Sequence, residues 1–189
     1  FKKEIVEPTL VEELPGVYIP DVMAVDIMHS EPLGDGKKHV IALLNACSNQ
    51  AEVCKLVKKR LRRIAAFNRI SLMANFKTPE QVGRLSAFAM LKLIIWSPWI
   101  FHDLPVFALR DPETSRDIGS LHRNAWLKRV KLVRLLLQRH QTPEDLALIS
   151  LLGQELQKEC EALYGPFTAI KTHFLSNHIA CLTRKLGLP

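Results

Sequence analysis

The chain writes the same helix start twice, Thr78-Pro79-Glu80 and Thr142-Pro143-Glu144. In each a threonine stands where a side-chain oxygen can accept from the first free backbone N–H groups. A proline follows at the position whose N–H has no partner in any helix, and Gln81 or Asp145 occupies the capping-box position. Apolar residues elsewhere recur at helical spacing, and no convincing alternation of period two is present, so the fold class read here is all-α. The periodicity predicts helices over Lys37–Cys47, from Asn49 or Gln50 to Phe67, from Pro79 to Ser97 with Pro98 as the stop, and over about 120–140, 143–164 and 166–186. A short helix is expected after Pro20, through Met28. The Pro-interrupted stretch Trp99–Leu109 and the charged stretch Arg110–Gly119 break the pattern. They divide the chain into an N-terminal bundle (1–109), a linker (110–119) and a C-terminal three-helix region (120–189), expected as two small helical bundles packed together.

The 189 residues can bury a substantial core, with 48% hydrophobic and 24% charged residues. That composition excludes wholesale disorder and a collagenous chain. Four cysteines do not make a disulfide framework. The net charge of +7 is unevenly placed. Residues 1–35 hold eight acids against Lys2 and Lys3, a net of −6; the remainder, with 24 basic and 11 acidic residues, carries +13. Such asymmetry suggests self-association or docking to an acidic surface. The most apolar stretch, Leu85–Phe101, is shorter than the roughly 20 residues a membrane span requires and contains Lys92. It is expected as the buried centre of a bundle.

Glu52–Phe67 carries the functional signal. At 100° per residue, Val53, Leu56, Val57, Leu61, Ile64 and Phe67 share one arc, while Lys55, Lys58, Lys59, Arg62 and Arg63 share the opposite one. Arg60 alone points toward the apolar side, its stem long enough to carry the charge outward. With no acid after Glu52, the helix is expected to present a cationic face to a polyanion, either headgroup or phosphate. A nuclear-import signal has the same composition. Aromatic residues are missing from the exposed arc, which argues against base-specific single-strand recognition. A second basic region, Arg123, Lys128, Arg129, Lys131, Arg134 and Arg139, is read as a central bundle helix with solvated charges and a possible secondary patch.

The run from Gly16 to Trp96 resembles the matrix proteins of orthomyxoviruses. Gly16-Val17-Tyr18-Ile19 through Met28-His29-Ser30-Glu31 is similar to an apolar helix of that family ending in a Ser-Glu turn. Lys37-Lys38-His39-Val40-Ile41-Ala42-Leu43-Leu44-Asn45 resembles its basic-then-apolar helix ending in Leu-Asn. Lys55-Leu56-Val57-Lys58-Lys59-Arg60-Leu61-Arg62-Arg63 resembles its basic helix, and Leu85–Ile95, with Ser86, Ala87 and Ala89, falls where the family has a small-residue helix. The divergence fits a distant genus, such as the isaviruses, rather than an influenza virus. The resemblance implies a virion protein that polymerises beneath the envelope as an extended homo-oligomer. It also implies contact with anionic membrane lipid at the cytoplasmic face, bridging to viral ribonucleoprotein and RNA, and a passage through the host nucleus. Those roles fall on Lys55, Lys58, Lys59, Arg60, Arg62 and Arg63. The family's Cys-x2-Cys and His-x2-His pairs are not reproduced, since Cys47 and Cys54 stand seven apart with no histidine pair after them.

Three other readings follow from the residues. A helical nucleic-acid-binding protein would use the same cationic face on phosphates. His178 and Cys181, with His173 or Cys160, fall short of the four converging ligands a structural zinc needs. His102-Asp103, with His39 and Asp111, would have to assemble from separate helices to make a metal-dependent hydrolase. No metal site, cofactor or catalytic residue is expected, and the chain is not read as an enzyme.

Overall fold

A computed structural model describes residues 31–166 except Met73, Arg139 and His140. The helices expected after Pro20 and over 166–186, together with Arg139, His173, His178 and Cys181, lie outside the described residues. The fold is all-α, and among the described residues the one β-type pairing is an isolated bridge between Arg110 and Asp117. Among the described residues six helices follow in order: α1 (Gly36–Asn45), α2 (Gln50–Phe67), α3 (Pro79–Val82), α4 (Ala87–Ile100), α5 (Ile118–Leu136) and α6 (Pro143–Tyr164). A π turn over Glu31–Asp35 leads into α1, and a 3-10 turn over Pro105–Ala108 precedes α5.

The helix starts follow side-chain chemistry. Asn49 accepts from the Glu52 N–H at the head of α2. At α6 the capping box is complete: Thr142 accepts from Asp145 N–H while the Asp145 carboxylate accepts from Thr142 N–H. At the other Thr-Pro start, Thr78 accepts from Gln81 N–H, yet the helix ends at Val82. Ser86 then opens α4 by accepting from Ala89 N–H. The single helix expected from Pro79 to Ser97 is therefore two, because a second capping residue restarts the chain in a new direction.

Pro98 does not stop α4, which continues to Ile100. Proline removes the N–H that would bond the Ile94 carbonyl. Ser97 Oγ supplies the missing donor at 2.6 Å, and Trp126 Nε1 donates to the same Ser97 Oγ at 2.8 Å. The irregularity in α4 thus becomes a polar joint to α5.

Two apolar clusters meet along α5. The first joins Val40, Leu43 and Leu44 of α1, Val57 and Leu61 of α2, and Met90, Leu93 and Ile94 of α4 to Trp126, Val130 and Val133 of α5. The second joins Ala125, Leu132, Leu135 and Leu136 of α5 to Leu146, Ile149, Leu152, Leu156 and Cys160 of α6. The helix after the expected 110–119 linker thus contributes to the cluster before it. The 110–119 segment is itself a tight turn: Asp111 accepts from the N–H groups of Glu113 and Thr114, and Gly119 N–H donates to Leu109 O. Gly119 is pressed so closely on the 3-10 turn that a Cβ there would sit 2.4 Å from the Phe107 carbonyl.

Candidate polyanion-binding surface

Amphipathicity places α2 with one face in the first cluster: Val53, Cys54, Val57, Leu61 and Ala65 are buried. On the far side Lys55, Lys59, Arg62 and Arg63 are exposed and Lys58 is half-buried. Lys55 stands 3.8 Å from Glu52 across one turn, and Arg62 Nε donates to the Ala74 carbonyl at 3.1 Å, which leaves its charge uncompensated. Among the described residues, Lys58, Lys59 and Arg63 make no ion pair. The structure brings these five cations together on a rigid helix.

Arg60 departs from that set. Its two terminal nitrogens bond both carboxylate oxygens of Asp103, with Nη2–Oδ2 at 2.8 Å, and Nη1 also donates to the Ile100 carbonyl at 2.8 Å. The Asp103 carboxyl is held below its usual range by that guanidinium. Sequence reasoning counted carboxylates along the helix and so missed one arriving from 43 residues away. Phe67 also departs from expectation. Placed on the buried arc, it is 88% exposed, because the core ends at Ala65 and the last turn of α2 projects beyond it.

The second basic region divides three ways. Arg129 is buried, 2% exposed, with its Nε donating to His39 Nδ1 at 3.4 Å. Lys128 bridges Glu155 and Glu159 of α6, at 2.8 Å from the former. Neither is a solvated charge, because α5 packs on both sides and brings α1 and α6 against these positions. Arg123 is exposed over the Phe107 ring, and Lys131 and Arg134 are exposed beside α4.

Around Arg129 lies a polar cluster that spacing alone did not reveal. His39 is fully buried, edge-on to Trp126 (4.9 Å between centroids) and to Tyr164 (5.5 Å), with Cys160 Sγ 3.7 Å from Nδ1. Arginine can only donate, so His39 Nδ1 accepts and the imidazole is neutral. Burial first, then Arg129 and His122, hold its pKa well below the ordinary value. Burial pushes the Cys160 thiol up to about 11, so it stays protonated and is no nucleophile. The Asp35 carboxylate is buried and makes no hydrogen bond to any described residue.

The residues considered for hydrolase chemistry are engaged elsewhere. Asp103 is held by Arg60, His39 sits in the core, and Asp111 closes its own turn. Among the described residues no three His, Cys, Asp or Glu side chains gather as metal ligands.

The helix expected at the bundle's centre, α4, has an open side. Phe88 is 48% and Trp99 60% exposed, while Leu91, Lys92, Ile95 and Trp96 between them are half-buried. An all-round apolar composition cannot show which stripe lacks a neighbour. Among the described residues no helix is long and apolar enough to cross a membrane. No protein-family model, curated protein or solved structure matches this chain.

Proposed function

We propose that the chain is a viral matrix structural protein that assembles beneath an envelope, with α2 as its contact to anionic membrane. The reading rests on the resemblance of residues 16–96 and on one structural observation. Lys55, Lys58, Lys59, Arg62 and Arg63 face outward together while the opposite side of the same helix is locked in the core. Attraction to an anionic leaflet contributes about 1 kcal/mol per basic residue near the surface. Five residues therefore provide roughly 5 kcal/mol, a sub-millimolar affinity for one copy. A monomer would bind marginally, and an array would bind firmly because each further contact is intramolecular. The same face would serve ribonucleoprotein on the inner side.

Phe67 favours lipid over phosphate as the principal ligand of this face. It stands one turn beyond Arg63, about 40° around the helix at the border of the apolar and cationic arcs, and is exposed to water. A bilayer interface buries such a ring beside its cations. Co-sedimentation with vesicles containing phosphatidylserine tests the reading. Binding is expected to require the acidic lipid, to fall with salt, and to weaken about tenfold in Phe67→Ala, whose lost burial is worth about 1.4 kcal/mol. Retention of full binding after Lys58, Lys59, Arg62 and Arg63 are all changed to Glu would refute it.

A further inference from the structure

The open side of α4 continues onto α5 as a groove of about 580 Å³. Pro98, Trp99, Leu127 and Val130 give it an apolar floor, with Leu127 47% exposed, and Lys131 and Arg134 stand along its α5 side. Arg134 donates to the Ile95 carbonyl at 3.4 Å, which orients the guanidinium over the groove without neutralising it. Neither cation has a carboxylate partner among the described residues, and α5 contains no acid at all after Asp117. This is a site with an apolar floor and a cationic wall, distinct from the α2 face.

Its chemistry fits an acidic peptide carrying apolar side chains, and the chain contains one. Residues 1–30, which precede the π turn, hold six acids against Lys2 and Lys3, a net of −4, and include Glu12-Glu13-Leu14-Pro15-Gly16-Val17-Tyr18-Ile19, two adjacent acids followed within a few residues by four apolar side chains. We propose that the groove between α4 and α5 receives this N-terminal segment from a second copy, apolar side chains on Trp99 and Leu127 and carboxylates on Lys131 and Arg134. Trp99 is 60% exposed, an open apolar surface that a second copy would cover. Thirty residues can reach about 100 Å when extended, enough to pass between neighbours. A contact between two different patches does not close on itself and propagates as an array. The inference deepens the assembly part of the function proposed above, and it is tested without lipid so that the two can fail separately.

The probe is a fluorescent synthetic peptide of residues 1–30, titrated onto the full chain by anisotropy. Saturable binding that weakens with salt is expected, falling at least tenfold in the Lys131→Glu, Arg134→Glu variant. Both residues are exposed, and an unchanged thermal unfolding curve would show that the fold is kept. A peptide with Glu12→Lys and Glu13→Lys should bind the wild type poorly and recover affinity for that charge-reversed variant. Sedimentation of the full chain should show concentration-dependent association that Trp99→Ala and the charge reversal both reduce. Equal peptide binding by wild type and variant, or absence of charge-swap recovery, overturns the proposal.

Discussion

Acidification should weaken this fold in the range where an unfolded histidine takes up its proton, and His39 is the reason. In the native state its ring is enclosed by Trp126, Tyr164, Cys160 and Arg129, with His122 near enough to add repulsion. A proton on Nδ1 would face the Arg129 N–H and place a second cation in the same dry pocket. The unfolded chain has no such restriction and takes up that proton at about 6.5. Because the native pKa lies below the unfolded one, the contribution is fully present above about pH 6.5 and is lost as pH falls through that value. If the native ring remains neutral, the loss at about pH 5.5 is roughly 1.4 kcal/mol, one proton's linkage over one pH unit. For a chain of this size that lowers Tm by about 3–6 °C. His122, whose pKa burial also lowers, adds in the same direction. Asp103 and Asp111, with lowered pKa values, act in the same sense at lower pH, since their stabilisation is lost only below about pH 4.

The assay is thermal unfolding of wild type and His39→Gln at about pH 7.5 and about pH 5.5. Glutamine keeps an acceptor for Arg129 and does not titrate, so the variant starts at its own Tm but should lose less of it on acidification. The quantity of interest is the difference between the two pH responses, which removes any constant effect of the substitution. Parallel responses for the two proteins would refute the account of a neutral buried His39.

Two further substitutions separate structure from surface. Gly119→Ala places a Cβ against the Phe107 backbone, which cannot rotate away, so α5 must shift and chemical denaturation should show a loss of about 3 kcal/mol. Arg60→Gln should lower stability by about 1 kcal/mol through the lost Asp103 contact while leaving vesicle binding within about twofold, whereas Arg63→Gln should weaken vesicle binding and leave stability nearly unchanged.

What the sequence revealed and what it concealed divide by the range of the interaction. The limits of α2 and α6 were legible because Asn49, Thr142 and Asp145 act on backbone groups three residues away. The outward turn of Lys55, Lys58, Lys59, Arg62 and Arg63 was legible because one apolar arc decides a helix's orientation. Arg60 was misassigned for want of Asp103, and Arg129 for want of His39, partners 43 and 90 positions away. Pro98 was misread for a subtler reason. A proline costs a helix less when the carbonyl it leaves unpaired finds another donor, and Ser97, its immediate neighbour, provides one.

That last case joins the fold to its surfaces. Ser97 is a shared partner, giving its hydrogen to Ile94 O and accepting one from Trp126, so the hydroxyl that replaces the Pro98 N–H is also held by α5. The extra turn carries Trp99 out to the groove and brings Ile100 O within reach of Arg60. A helix ending at Ser97 would therefore lose the apolar floor beside Lys131 and Arg134, and it would also take the Ile100 carbonyl away from Arg60. On this reasoning Trp126 governs both outer surfaces from the interior. Its replacement by Phe, which keeps the ring but not the N–H, should loosen the groove and alter the α2 face together.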